Sequence, residues 1–486
     1  MSGDGNGWEM VIGLEVHCEL HTATKLFCGC ANEFGAEPNT HICPVCLGLP
    51  GSLPVLNKQA VEYAMRIGEA LHCTVQASIF HRKNYFYPDM PKDYQVSQYD
   101  EPINTTGWLE LPADGDGGAT RIGITRAHME EDTGKSSHVG ETGRIHGASH
   151  SLVDYNRAGV PLVEIVSEPD IRTPEQAEAY VKELRAILLA ADVSDARMEE
   201  GSMRVDANVS VRRSPADEFG TRCEIKNLNS LRSLRRAIEY EARRQIDLIE
   251  AGDKVAQETR HWVEGEGRTV SGRSKEESHD YRYFPEPDLV PLRPSEEWKH
   301  DVRAALRPMP SARRTRLAGA VGGASSATDV ALVVELGLDD LVTAAIDDGA
   351  DARIAVNRAT NEVATDLDAA ATLDVKAFAT VVKMESAGEL TPTQSKTVIA
   401  TLLREGAGAR DPRTIAKEHG FEAMGADALE AAVDEAIAAH PKDFEDLKAG
   451  NQKVVGLFVG QVMKATGGKA NGKEVTAILR RRAGLA

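Results

Sequence analysis

The sequence predicts an α+β protein: a strand-rich N-terminal part followed by an all-helical remainder. Three observations carry this. "VIGLEVHCEL" (residues 11–20) alternates strictly, with Ile12, Leu14, Val16, Cys18 and Leu20 on one face and Val11, Gly13, Glu15, His17 and Glu19 on the other. Every tyrosine falls at or before Tyr283 and every tryptophan at or before Trp298, so the composition changes there. Beyond that point, stretches such as "DALEAAVDEAIAAH" carry apolar residues at helical spacing.

Length and charge bound the possibilities. At 486 residues and 42% apolar, the chain suffices for two or three packed domains. "MSGDGNGWEM" has no apolar stretch of a secretion signal, and no run approaches a membrane span, so a cytoplasmic protein is expected. A net charge of −19 argues against coating nucleic acid through bulk electrostatics; an RNA partner must meet a local basic patch.

Taken in order, the first strand sets Glu15 and His17 on one side, a face that is either solvated or part of a site. "FCGCANEFGAEPNTHICPVCLG" follows, with Cys28-x-Cys30 and Cys43-x-x-Cys46 bracketing a twelve-residue loop. Two close thiol pairs converging on one tetrahedral Zn²⁺ would leave no open position, so the predicted site is structural. "HRKNYFYPDMPKDYQVSQYD" interleaves aromatics with Arg82, Lys83 and Lys92, as a packed loop or a lid would. "ITRAHMEEDTGKSSH" gathers His128, Glu130, Glu131 and Asp132 at a strand end; Met129 stands where a P-loop needs glycine. "MRVDANVSVRR" sends Arg204, Asp206 and Asn208 away from a core, and "RCEIKNLNS" does the same with Glu224 and Lys226. Several polar faces of this kind, with carboxylates, amides and one imidazole, point to a shared cavity.

Prolines around "PLRPSEEWKHDVRAALRPMP" place a boundary near 295, and "EGAGARDP" places a second near 410. The expected domains are residues 1–295, 296–410 and 411–486. No G-x-S-x-G, H-E-x-x-H or dinucleotide fingerprint occurs, and Cys18 faces away from His17. Carboxyl activation by ATP with Mg²⁺ fits this inventory better than nucleophilic hydrolysis.

In "VIGLEVHCEL", "HRKNYFYPDMPKDYQVSQYDEPI", "RAHMEEDTGKSSH", "NRAGVPLVEIVSEPDI", "MEEGSMRVDANVSVR", "EIKNLNS", "HDYRYFPEPDL" and, in the tail, "VGQVMKATGGKAN", the chain resembles the B subunits of aspartyl/glutamyl-tRNA amidotransferases. It departs from them at Arg358, where the family's usual pair is Asn-Trp, and at Gly472, where a proline is usual. The resemblance implies an antiparallel-sheet cradle domain with helices, a helical domain and a helical tail. It implies that Glu15, His17 and Glu130 hold Mg²⁺, with Glu131, Asn156, Arg204, Asp206, Asn208, Glu224, Lys226 and Arg282 around ATP and substrate. ATP would phosphorylate the side-chain carboxylate of a Glu or Asp carried on mischarged tRNA, and ammonia would displace the phosphate. The ammonia would come from glutamine hydrolysed by a partner amidase subunit, along a passage near Lys83 and Lys92. A small C subunit completes the implied heterotrimer. The tail's Lys464, Lys469, Lys473, Arg480, Arg481 and Arg482 would contact tRNA, although basic residues at a helix end also suit the helix dipole. The competing expectations are an archaeal paralogue specific for Glu-tRNA(Gln), disfavoured because no large insertion follows "PEPDLVPL", and a non-catalytic zinc-stabilised RNA adaptor. A self-sufficient glutaminase is opposed by the missing nucleophile.

Overall fold

A computed structural model describes residues 7–485 apart from 113–119, 141–147, 214–216, 273–280, 407–409, 422–425, 468–469 and 471. The chain divides into two compact units, the first ending at Ser311 and the second beginning at Ala312.

Fourteen strands lie in the first unit among the described residues: β1 (Glu9–Glu19), β2 (Thr74–Val75), β3 (His81–Asn84), β4 (Tyr94–Ser97), β5 (Asn104–Leu111), β6 (Thr120–Glu131), β7 (Lys135–Val139), β8 (His150–Asp154), β9 (Pro161–Ser167), β10 (Met203–Arg212), β11 (Cys223–Leu228), β12 (Thr259–Val263), β13 (Arg268–Ser271) and β14 (Phe284–Pro285). Twelve of them form one sheet, in the order β13-β12-β11-β10-β1-β9-β6-β4-β3-β14, with β5 and β2 continuing from β6; β7 and β8 pair separately.

The alternation in β1 sets the layering of this sheet. Val16 is aligned with Val205 and Ile165, Cys18 with Met203 and Val163, and β6 continues the rows with Ala127 and Met129. Each of these is buried. Helices α1 (Lys58–Ala70), α2 (Pro174–Ala190) and α3 (Leu231–Glu250) add Met65, Ile67, Leu184, Leu188, Leu234 and Ile238 to the same core. Each helix starts at a side-chain cap, Asn57, Thr173 or Ser230, that accepts from backbone N–H groups of the first turn. The pairings are antiparallel with one exception: β11 and β12 run parallel. The twenty-residue helix α3 between them provides the crossover that a parallel pair needs. A fourth helix, α4 (Glu296–Ala304), also packs on this unit, where Trp298 Nε1 donates to Glu62 Oε1 at 3.0 Å and Arg303 grips Glu69.

Among its described residues the second unit contains helices and no strands, the last helix being Gly472–Arg482. It holds two apolar clusters, one from Leu317 to Ala416 around Phe378 and Val382, the other from Leu429 to Leu479 around Phe458. The α+β class therefore holds, with the sheet confined to the first unit. No helix among the described residues is long and apolar enough to cross a membrane.

Candidate active site and cysteine cluster

The face of the sheet opposite the core carries the polar alternates of the same strands. Two rows cross it. One runs Asp206, Glu15, Val166, Arg126; the next runs Arg204, His17, Glu164, His128. Direct neighbours in an antiparallel sheet share a face, so these side chains meet because the core alternates meet behind them.

At the centre, His17, Glu130 and Glu164 each offer one ligand atom, and these atoms lie within 4.8 Å of one another. His17 Nε2 is 3.8 Å from Glu130 Oε1. Burial, reinforced by the neighbouring Glu164 charge, pushes the Glu130 carboxyl up to about 7. Burial would raise Glu164 as well, but His128, His17, Arg126 and Lys83 outweigh it and hold that carboxyl down to about 2. His128 is fully buried beside them and driven down to about 4 by burial, against the pull of Glu164. Two carboxylates and an imidazole could together hold a divalent cation, with three ligand atoms leaving room for phosphate oxygens. The grouping thus contains His17 and Glu130 but adds Glu164, while Glu15 sits one row away and accepts from Asn208 Nδ2 at 2.9 Å.

Around this centre the remaining candidates fall into separate networks. Lys226 Nζ lies 2.7 Å from Asp206 Oδ2 and 3.4 Å from Glu224 Oε1. Arg204 pairs with Asp132 at 2.8 Å and with Glu19 at 3.3 Å. Glu131 follows Glu130 in an extended strand and points the other way, where it pairs with Lys92 and accepts from Val96 N at 2.9 Å. That ion pair joins a residue expected near substrate to one expected in the passage, and both line a cavity of about 280 Å³ with Phe27, Tyr94, Cys28 and Cys46. Lys83 extends over the Tyr281 ring at 4.6 Å. Asn156 instead ties down the cysteine loop: its Oδ1 accepts from His41 N at 2.8 Å and its Nδ2 donates to Glu37 O at 2.7 Å. Arg282 is exposed, with a φ of 48°, and its carbonyl accepts from Asn84 Nδ2 at 3.1 Å.

Cys28, Cys30, Cys43 and Cys46 converge, with all four sulfurs within 4.8 Å of one another. The Cys43 and Cys46 sulfurs are 3.9 Å apart, close to the roughly 3.8 Å edge of a tetrahedron with 2.3 Å metal–sulfur bonds. A hydrogen bond from the Cys28 thiol lowers Cys46 to about 5, helped by the buried Lys25 ammonium. The donor set fits a structural metal such as zinc.

In the tail, Arg481 and Arg482 pair with Glu430, Arg482 also with Asp434, and Arg480 bonds Gln452 at 3.3 Å. Lys464 is exposed, Lys473 stands in the first turn of the last helix, and Lys469 lies outside the described residues.

Comparison with known proteins decides the lineage. Residues 10–300 match the family model for the GatB/GatE catalytic domain, and residues 340–482 match that for the GatB domain. The B subunit of aspartyl/glutamyl-tRNA(Asn/Gln) amidotransferase from Frankia casuarinae is 52% identical, covering 98% of this chain and 96% of the relative. The protein of that name from Carboxydothermus hydrogenoformans is 48% identical, covering 97% and 98%. The one from Mycobacterium sp. (strain KMS) is 50% identical, covering 97% and 95%.

The chain belongs to the GatB family of tRNA-dependent amidotransferase subunits.

The sequence sets His128 beside Glu130, but gives no overt sign that Glu164 joins His17 and Glu130 in one centre. The signal was present in "PLVEIVS", where Glu164 alternates with the core residues Val163 and Ile165. It was masked because Leu162 and Val166, on the polar side, make the segment read as a continuous apolar run.

Proposed function

We propose that this GatB-family chain activates the side-chain carboxylate of Glu or Asp on mischarged tRNA with ATP and amidates it with ammonia from a partner. The observation that carries the reading is the His17, Glu130 and Glu164 grouping on an otherwise polar sheet face. A Mg²⁺ held there, with Glu15 one row away, would neutralise charge on the transferring phosphoryl group. The substrate carboxylate oxygen attacks the γ-phosphorus and ADP leaves. Ammonia then adds to the acyl carbon and inorganic phosphate departs, giving Gln-tRNA(Gln) or Asn-tRNA(Asn). Lys226, held by Asp206 and Glu224, and Arg204, held by Asp132 and Glu19, offer oriented N–H donors on the same sheet face. The row geometry orients these groups before substrate arrives, so little reorganisation accompanies phosphoryl transfer.

The partners of this reading are an amidase subunit, a small C subunit and the tRNA. The cavity between the Lys92–Glu131 pair and the cysteine cluster supports an ammonia passage, and four converging thiols support structural Zn²⁺. The tail from 411 to 486 is read as the tRNA-docking part, following a helical domain over 296–410.

The test is Glu164→Gln and Glu130→Gln in the assembled complex. Both variants lose tRNA-dependent ATP hydrolysis by about 10²-fold or more while glutaminase activity is retained. Unchanged ATP turnover in both would overturn the assignment.

A further inference from the structure

His128 is the one member of the central row that the activation chemistry leaves without a task. Its side chain is wholly buried, and neither ring nitrogen makes a hydrogen bond among the described residues. Buried polar groups of that kind are destabilising unless a partner completes them. An ordinary core histidine would settle its nitrogens on backbone carbonyls. Here Nε2 faces two carboxylates, at 3.3 Å from Glu164 Oε2 and 3.9 Å from Glu130 Oε2. The edge of the ring is closed off by Tyr99, whose centroid is 6.1 Å away in a T-shaped contact. Arg126 caps that tyrosine at 4.5 Å and stands 4.0 Å from the other oxygen of Glu164.

With carboxylate oxygens on the Nε2 side, a lone pair there would be repelled, so the proton belongs on Nε2. We propose that His128 is a positioning residue: its Nε2 edge, 3.3 Å from Glu164 and 3.9 Å from Glu130, attracts both carboxylates and restrains them at the separation at which one cation is shared with His17. The ring contributes no ligand of its own. It prevents the carboxylates from splaying apart under their mutual repulsion and leaves their remaining oxygens free for the ion. Hydrogen-bonded support of ligating carboxylates typically changes metal affinity by about 10–100-fold.

This inference rests on the metal-site reading above, and the experiment separates the two. Mn²⁺ is titrated into the full chain and its binding followed by the electron paramagnetic resonance of the free ion, with Glu164→Gln as the reference for the site. His128→Leu is expected to weaken the site that Glu164→Gln removes by about 10–100-fold. His128→Gln, whose amide nitrogen reaches the same position as Nε2, is expected to restore affinity to within about threefold of the unsubstituted protein. His128→Asn keeps an amide but withdraws the donor from the carboxylates, so it should behave like His128→Leu and serves where the leucine variant does not fold. Unchanged affinity in His128→Leu, or equal losses in the Gln and Asn variants, overturns the positioning role. Mn²⁺ binding that Glu164→Gln leaves untouched overturns the metal site itself, and this inference with it.

Discussion

A single carboxyl dominates the behaviour of the site at the residue scale. Glu130, raised to about 7 without a metal, must release a proton before it can coordinate. Its ordinary value in an unfolded chain is near 4.3. Ionising it in the metal-free fold is therefore unfavourable, and its contribution to stability falls as pH rises from that value through about 7. Metal binding runs the other way. Glu130 should make divalent-cation affinity climb about tenfold per pH unit toward 7 and level off above it, with one proton released per ion below that pH. Calorimetric titrations in buffers of different ionisation enthalpy would count that proton, and a pH-independent affinity would contradict the assignment. His17 and Glu130 were legible in the sequence because each shares a strand face with other polar residues. Glu164 was not, since pairing between distant strands decides which apolar run carries the useful exception.

Elements show where local pattern stops being enough. The alternation of β1 and β10 was readable, but the parallel pairing of β11 with β12 was not, because the intervening α3 looks the same from sequence whichever edge it returns to. The segment from His21 to Asn57 contains no helix and no strand longer than an isolated bridge, and it holds the four converging cysteines. Metal analysis should find about one zinc per chain. Cys46→Ser, or removal of the metal with a chelator, should make this segment the first site of proteolysis while the sheet persists. Limited digestion followed by mass spectrometry reads that order of cleavage directly.

In the helical unit the departure at Arg358 has a structural counterpart. Its guanidinium meets Glu385 Oε2 and Glu362 Oε2, each at 2.9 Å, with all three side chains nearly buried. Arg358→Ala should lower stability by about 3–5 kcal/mol, because it leaves the Glu385 carboxylate unpaired and Glu362 with Lys396 alone, and denaturant unfolding measures the change.

For the whole molecule, the question raised by the proposed function is how a chain of net charge −19 would engage RNA. The basic run at the C-terminus is less free than its sequence suggests, since Arg481 and Arg482 already pair with Glu430 and Asp434. Deleting residues from 411 onward should raise the apparent KM for tRNA and flatten its salt dependence, leaving the partner's glutaminase rate intact. A salt titration of tRNA affinity that is identical with and without the tail would move recognition to the rest of the chain. Composition announced the division between sheet and helices, whereas the strand order depended on contacts across more than a hundred residues that no local pattern encodes.

The two-sidedness of β1 also bears on how such a chain can vary through descent. From Ile12 to Cys18, odd and even positions answer to different constraints, one the packed core and the other the charged face. A duplication or loss of one codon there would exchange the two sets at a stroke, burying Glu15 and His17 and exposing Leu14 and Val16. Inheritance in this strand must therefore proceed by replacing residues one at a time, within each face's own chemistry. Changes of length are left to the connections outside the sheet.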